Sequence, residues 1–347
     1  MTLEIFPRAV ADSIVTGAWT LLPDTARHWT ESQPSEPLAR LSLIIGLLLN
    51  WNYAEAYEHH NALISELAGS SENTKRVIQT VELFVGKYPT EAGPRLFYGL
   101  MLAQMGELES ALREYKEGAK LAPEDPYPHY YQGQAYQASD RLDLAIREYR
   151  EAVRLAPHEP HMRLNLGSAY QHQGNLESAI PQFREAVKLN PSDPVAHYNL
   201  GVALVDQGRL EMAIGAYKES ARLNPKDPMV HYQLGVAQEK RGRLGEAIAE
   251  YQAATELAPS FALGYRSLGW VYYNQNKAGL AAEAFGKAVQ YNEKDSHSLH
   301  GLGLTKLALG AKEDAIRYLQ QAYRLEDRED KRHLIHGTLV RLRALPY

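Results

Sequence analysis

Histidine pairs are the residues of this sequence whose type and spacing come nearest to a reactive site. Imidazole nitrogens bind zinc and transfer protons, and two histidines three residues apart lie on one face of a helix. Three pairs have this spacing: His158/His161, His297/His300 and His333/His336. A zinc site needs at least three protein ligands, and no third ligand is evident for His297/His300. His158 precedes Pro160 and is predicted to lie in a turn, so the sequence predicts no metal site.

Composition and missing motifs exclude most other chemistry. The chain has no cysteine, which removes disulfides, thiolate metal ligands and a cysteine nucleophile. It has no Gly-rich phosphate loop, no HExxH zinc motif and no GxSxG nucleophile motif. Its net charge of −5 argues against a dedicated nucleic-acid-binding protein, which would need a basic surface. We therefore expect that the protein is not an enzyme, uses no cofactor and binds no nucleic acid.

An internal repeat determines which elements position these residues. Residues 189–208 and 223–242 agree at 12 of 20 positions with an offset of 34. Counting from Ala92, seven consecutive blocks of 34 residues fit without insertion as far as Glu329. A small residue occupies place eight of every block: Gly99, Gly133, Gly167, Gly201, Gly235, Gly269 and Gly303. An aromatic residue or leucine occupies place twenty-four: Tyr115, Tyr149, Phe183, Tyr217, Tyr251, Phe285 and Leu319.

Each block predicts a pair of helices joined by a short turn. The dipeptide Asp193-Pro194 supplies an N-cap acceptor followed by proline in the first helical turn, where its missing N–H costs nothing. Gly208 stands where the first helix would end, because glycine tolerates the left-handed conformation of a C-terminal cap. The small residue Gly201 is predicted to let the two helices approach closely, with Tyr217 filling the space beyond.

Two departures from the repeat concern the second helices. Ser220 stands where the other blocks have a small apolar residue at place twenty-seven. The last two blocks have Glu293 and Asp327 at place thirty-two, where the other five have proline. Since proline ends a helix, we expect the second helices of these two blocks to end less sharply.

The blocks share a consensus: Leu-Gly at places seven and eight, Tyr at eleven, Ala at twenty, Phe or Tyr at twenty-four, Ala at twenty-seven and Pro at thirty-two. This consensus resembles the tetratricopeptide repeat. The resemblance implies an all-α fold, an α-solenoid in which helix-turn-helix repeats form a right-handed superhelix. It also implies that the first helices line a concave groove through places two, five, six, nine, twelve and thirteen. We expect residues 92–329 to form seven repeats, residues 37–91 degenerate repeat-like helices, and residues 330–347 a C-terminal capping helix.

The candidate binding residues are those predicted to face this groove. Three carboxamides at place six of adjacent blocks form a ladder, and an amide both donates and accepts hydrogen bonds, as an extended peptide backbone requires. Tyrosines at place five would supply rigid contact area with a polar tip. The alternative is that these side chains pack between repeats, as we expect for the place-four histidines His129, His197, His231 and His333. The predicted groove residues are Tyr130, Tyr131, Asn165, Tyr198, Asn199, Tyr232, Gln233, Arg266 and Trp270.

The N-terminal 36 residues form a segment of their own. Trp19 belongs to an apolar stripe from Ile14 to Leu22 on a predicted helix, and Trp29 and Trp51 follow. This helix is expected either to cap the solenoid or to dock on a partner or membrane surface. The most apolar run, Leu41–Leu49, has only nine residues where a membrane span needs about 20. It is predicted to be a buried helix.

These patterns predict a non-enzymatic scaffold that binds a peptide segment or helix of a partner protein in the groove and aids assembly of a larger complex. One alternative is an assembly factor at a membrane surface, for example of a photosynthetic or envelope complex, docked through residues 1–36. Another is a regulatory subunit that acts on an enzyme in trans. A cytoplasmic location is the expectation, with a peripheral membrane location as the alternative.

Overall fold

The computed structural model describes residues 22–33, 36–49, 59, 62–63, 67, 77–82, 85–86 and 89–342. All secondary structure in this part of the chain is helical. The predicted docking stripe with Trp19, and Trp51, lie outside the described residues. Two compact units form the structure, residues 1–174 and residues 175–347. The division falls inside the third 34-residue block.

Unit 1 contains helices α1 to α7: α1 Leu22–Ser32, α2 Pro37–Leu49, α3 Ala92–Gln104, α4 Leu108–Leu121, α5 Pro126–Ala138, α6 Leu142–Leu155 and α7 Pro160–His172. Unit 2 contains α8 Leu176–Leu189, α9 Pro194–Asp206, α10 Leu210–Leu223, α11 Pro228–Lys240, α12 Leu244–Leu257, α13 Ala262–Asn274, α14 Ala278–Tyr291, α15 Ser296–Ala308, α16 Lys312–Leu325 and α17 Glu329–Arg341. From α3 to α16, first helices of 13 residues alternate with second helices of 14. Within each unit, consecutive helices of the repeat pack against each other in chain order. The chain is therefore an α-solenoid.

The predicted caps explain where the helices begin and end. The Asp193 side chain accepts a hydrogen bond from the backbone N–H of Val195 at 2.9 Å, at the start of α9. Gly208 ends the same helix with a φ of 78°, in the left-handed region that glycine adopts without strain. The equivalent positions of two other blocks hold Asp140 and Asn276, with φ of 58° and 55°. Short polar side chains tolerate this conformation better than most.

Close helix approach explains the glycines at place eight. A Cβ atom added to Gly201 would lie 2.6 Å from Cε1 of Tyr217, which is fully buried. No carbon atoms approach so closely, so only glycine fits here. The predicted pairing of Gly201 with Tyr217 is confirmed.

The expectation of less sharply defined ends for the last second helices is wrong. Helices α14 and α16 end at Tyr291 and Leu325, the same place thirty at which the proline-containing blocks end. Side chains replace the proline: Glu326 accepts hydrogen bonds from the Ser296 hydroxyl at 2.8 Å and from Arg328 Nε at 3.0 Å. Ser220 is no weak point either, because its buried hydroxyl donates to the Pro194 carbonyl at 2.8 Å.

In unit 1 the described part of the N-terminal segment packs onto the repeat helices. Trp29 of α1 and Leu41 of α2 lie in one apolar core with Phe97 and Met101 of α3. Within Leu41–Leu49, Leu41, Leu43, Ile44 and Leu47 are buried, as predicted for a buried helix. No helix in the described ranges is both long and apolar enough to span a membrane.

Helix α17 packs on α16 at the end of unit 2. Its Ile335 and Leu339 share a core with Leu299 and Leu319. His333 of α17 is exposed, so its assignment as a packing histidine is wrong. The described residues contain no second helix after α17 that could cover it.

Candidate functional site

The predicted groove residues occupy one stripe on the first helices of the repeat. Places two, five, six and nine lie at i, i+3, i+4 and i+7, which is a single helical face. Most of these side chains are half-buried, whereas places eight and ten of the same helices are buried in the core.

In unit 1 the stripe is an aromatic cluster on α5 and α7. The Tyr130 hydroxyl accepts hydrogen bonds from Asn165 Nδ2 at 2.8 Å and from Gln134 Nε2 at 3.0 Å. Tyr131 is only 7% exposed, and its ring stacks on Tyr115 with centroids 5.8 Å apart. Tyr131 is therefore part of the core, and Asn165 joins its repeat to the preceding one.

His161 and Tyr127 complete this cluster. The His161 ring meets Tyr130 edge-on at 5.2 Å and stacks on Tyr127 at 6.2 Å. Burial lowers the pKa of His161, against the opposing effect of Glu159. Burial, with Glu159 and Asp125 nearby, raises the pKa of Tyr127 to about 12. Both side chains are thus neutral at pH 7, and the cluster is an uncharged aromatic surface.

In unit 2 a tyrosine and a carboxamide again pair across adjacent repeats. The Gln233 side chain is a hydrogen-bond partner of the Tyr198 hydroxyl, and burial raises the pKa of that hydroxyl. The Tyr198 ring lies 5.8 Å from Tyr217. The Tyr232 ring lies 5.8 Å from Tyr251 and meets Phe261 edge-on at 5.3 Å. These contacts fix the tyrosines of the stripe.

Asn199 differs from the other two carboxamides of the predicted ladder. Its side chain is half-buried, and within the described ranges its amide makes no side-chain hydrogen bond. One turn before it, Val195 is 55% exposed. The place-two residues of the next two blocks, Met229 and Leu263, are 37% and 36% exposed. A free amide therefore borders a row of exposed apolar side chains in unit 2.

Arg266 and Trp270 of α13 lie further along the stripe. Arg266 Nη1 is 3.4 Å from both carboxylate oxygens of Asp295. The Trp270 ring meets Phe285 edge-on at 5.2 Å and lies 5.0 Å from the ring of His297. Its indole N–H is buried without a hydrogen-bond partner among the described residues. The tryptophan is therefore anchored by rings rather than by its polar atom.

The histidine pairs do not assemble into a metal site. His158 lies in the turn before α7, as predicted. Burial, helped by Lys331 and Arg266, lowers the pKa of His297 to about 4, and burial also lowers the pKa of His300. In the part of the chain that the structure describes, no three His, Cys, Asp or Glu side chains are grouped to hold a metal ion. His297 and His300 instead contact the Trp270 ring.

Sequence reasoning missed the polar side-chain pairs that join the two helices of a repeat. The place-four side chains pair with a glutamate at place twenty-three: Arg95 with Glu114 at 3.0 Å, His129 with Glu148 at 2.7 Å and His231 with Glu250 at 2.8 Å. His231 therefore packs within its own repeat, against the second helix, and not between repeats. A base and an acid nineteen residues apart in several blocks is the signal that would have revealed these pairs. The exposed apolar place-two residues were likewise visible in the sequence.

Comparison with known proteins places these features in a family. A family model described as tetratricopeptide repeat matches residues 130–194, 164–228, 198–261 and 266–330, and a model described as TPR repeat matches residues 99–140. No match was found among curated proteins.

Three solved structures illustrate the likeness of fold. The C-terminal part of a TPR repeat-containing protein from Cytophaga hutchinsonii has 16% identity and a TM-score of 0.57, with 71% of this chain and 99% of that chain covered. Pseudomonas aeruginosa PilF has 19% identity and a TM-score of 0.52, with coverages of 61% and 96%. Yeast Tom70 has 12% identity and a TM-score of 0.50, with coverages of 96% and 87%. At these identities the likeness concerns the fold alone.

Proposed function

Because the chain belongs to the tetratricopeptide repeat family, whose members are interaction modules, we propose that it is a non-catalytic scaffold that binds a peptide segment of a partner protein along the first helices of unit 2. The bound segment would lie on the stripe formed by α9, α11 and α13. Its capture would aid assembly of a larger complex.

The free carboxamide of Asn199 carries this proposal. Gln233 is already engaged by a tyrosine hydroxyl, whereas the Asn199 amide has no hydrogen-bond partner among the described residues and keeps both its donors and its acceptor for a ligand. A half-buried polar group without a protein partner is worth more to a ligand than one that already has a hydrogen bond, because binding then breaks no internal bond. A peptide backbone has the alternating donors and acceptors that such an amide requires.

The apolar neighbours of Asn199 supply the rest of the interface. Val195, Met229 and Leu263 are exposed and lie at the same place of three consecutive repeats. Covering apolar surface stabilises a complex by about 25 cal/mol per Å². The fixed rings of Tyr198 and Tyr232 lose little conformational entropy on binding. The preferred ligand is therefore a segment with apolar side chains and an accessible backbone.

The test is selection of displayed 12-residue peptides against the full chain, followed by measurement of Kd for a selected peptide. Asn199→Ala should weaken binding by about 2- to 10-fold, the value of one hydrogen bond. Asn165→Ala is the matched control, because it removes the same amide from a tyrosine-bonded position in unit 1. Selected peptides that bind both variants with the wild-type Kd would rule out the unit 2 stripe as the binding surface.

The alternatives concern the N-terminal segment. Docking on a membrane surface or on a partner through residues 1–36 would depend mainly on the stripe with Trp19, outside the described residues. In the described part of this segment, Trp29 shares an apolar core with Phe97 of α3, which agrees with a capping role. No described contact favours regulation of an enzyme in trans.

A further inference from the structure

A pocket of about 350 Å³ lies between the second helices α12 and α14, with α13 behind it. Two tyrosines, Tyr265 and Tyr272, line it together with Glu256 of α12 and Glu283 and Lys287 of α14. Leu268, Leu280 and Ala284 provide apolar surface.

This pocket is separate from the stripe proposed to bind a peptide. On α13 the pocket is lined by places four, seven and eleven, whereas the stripe uses places two, five, six and nine. At 100° per residue, these two sets lie on opposite faces of the helix. A ligand in the pocket would therefore leave Arg266 and Trp270 uncovered.

Two positions of the repeat differ from the preceding block at this pocket. In the preceding block, His231 Nδ1 of α11 and the Glu250 carboxylate of α12 are hydrogen-bonded at 2.8 Å, and this contact joins the two helices. The corresponding residues here are Tyr265 and Ala284. Tyr265 stacks instead on Tyr291 with centroids 5.8 Å apart, and the methyl group of Ala284 leaves the space between the helices open.

The pocket already accommodates a cation of the chain itself. Lys287 Nζ lies 5.4 Å from the centre of the Tyr265 ring and 3.3 Å from Glu283 Oε1. Glu256 forms no salt bridge with any residue that the structure describes. The lining of the pocket thus contains two carboxylates and one ammonium group, and the ring of Tyr272 adds a second aromatic wall. The lining therefore has one negative charge in excess, which a second cation would neutralise.

We propose that this pocket binds an arginine side chain of a partner protein. A guanidinium group is planar, stacks on aromatic rings and bonds a carboxylate with two N–H groups at once. Tyr272 offers the ring and Glu256 the carboxylate. The three-carbon stem of arginine covers apolar surface such as that of Leu280, which is 47% exposed. This site is independent of the peptide stripe, so a partner can contact both faces of the array.

The test uses N-acetylarginine amide as the probe and the full chain with isotope-labelled tyrosines. NMR titration should shift the Tyr265 and Tyr272 signals saturably, with Kd on the order of mM for so small a ligand. N-acetylcitrulline amide has the same shape without the charge, and N-acetylleucine amide tests an apolar occupant. Equal binding of either control, or no saturable shift with arginine, would overturn the proposal.

Two substitutions locate the effect. Ala284→Glu restores the acid that three other blocks have at this place and fills the pocket, so we expect at least a 10-fold loss of affinity for the probe. Ala216→Glu makes the same change at the same place of another block and should leave binding unchanged. If Ala284→Glu does not fold, Glu256→Gln on the exposed surface replaces it and should weaken binding about 3-fold or more. Wild-type affinity in both Ala284→Glu and Glu256→Gln would place the probe elsewhere.

Discussion

The hydrogen bond between Asn165 and Tyr130 should be measurable as a coupling between two repeats. Asn165 Nδ2 donates to the Tyr130 hydroxyl at 2.8 Å, and both side chains are half-buried. An intramolecular hydrogen bond of this kind contributes about 0.5–1.5 kcal/mol to stability. Asn165→Ala should lower the free energy of unfolding by about that amount, less a few tenths of a kcal/mol regained from the higher helix propensity of alanine.

Urea titration followed by far-UV circular dichroism provides the measurement, with an unchanged m value as the sign that the same transition is observed. Tyr130→Phe removes the acceptor and keeps the ring contacts with His161 and Tyr149. The loss of unfolding free energy in the double variant should be smaller than the sum of the losses in the two single variants. The difference is the coupling energy, which we expect to be about 1 kcal/mol. Asn199→Ala is the comparison, because a free amide has no internal bond to lose. Its effect should stay within about 0.5 kcal/mol of zero.

A zero coupling energy would show that the Tyr130–Asn165 bond does not exist in solution. If Asn199→Ala instead destabilises the chain as much as Asn165→Ala, then Asn199 has an internal partner. The proposed peptide site would then lose the observation on which it rests.

Two further predictions concern stability. Gly201→Ala places a Cβ atom 2.6 Å from the Tyr217 ring and should lower the free energy of unfolding by about 1–3 kcal/mol. Gly215→Ala, with no atom within 4 Å of its added Cβ, should raise it by up to about 1 kcal/mol. Thermal unfolding of both variants measures these changes, and equal effects would contradict the packing argument. Burial would raise the pKa of Glu326, but hydrogen bonds from Arg328 and Ser296 outweigh it and lower the pKa to about 2. Its stabilising effect is therefore present above the ordinary value of 4.5 and is lost as the pH falls toward 2. Glu326→Gln should lower the melting temperature at pH 7, and the difference from wild type should shrink between pH 4.5 and 2; a difference that does not depend on pH would show that the charge is irrelevant.

The helix ends could be predicted because they depend on local chemistry. Asp193 caps its helix through a bond two residues away, and Gly208 needs only its own φ. The contact of Gly201 with Tyr217 spans sixteen residues, but the hairpin fixes that spacing in each repeat. Helix caps, turns and close helix contacts can thus be predicted from single residue types at fixed places of the repeat.

The groove was harder to predict because the same residue type at the same place of the repeat has different neighbours in different repeats. Tyr131 is buried on Tyr115 of the preceding repeat, which place number alone does not reveal. Asn165 is bonded to a tyrosine thirty-five residues before it, whereas the residue thirty-five before Asn199 is Leu164, which has no hydroxyl. Whether the amide has a hydrogen-bond partner therefore depends on two residues, one in each of two adjacent repeats.

The isolation of Trp270 gives the array an intrinsic optical probe. No tryptophan follows Trp51 in the sequence except Trp270, so tryptophan emission from unit 2 has a single source. Its indole N–H is buried and has no hydrogen-bond partner in the part of the chain that the structure describes. In such an environment little solvent relaxation occurs, so the emission stays at short wavelength. The ring also lies on the α13 face opposite the pocket. The part of the emission that comes from Trp270 should therefore respond to a ligand on the peptide stripe and stay constant when arginine fills the pocket, so that a titration of the Trp270 signal reports which face a partner occupies.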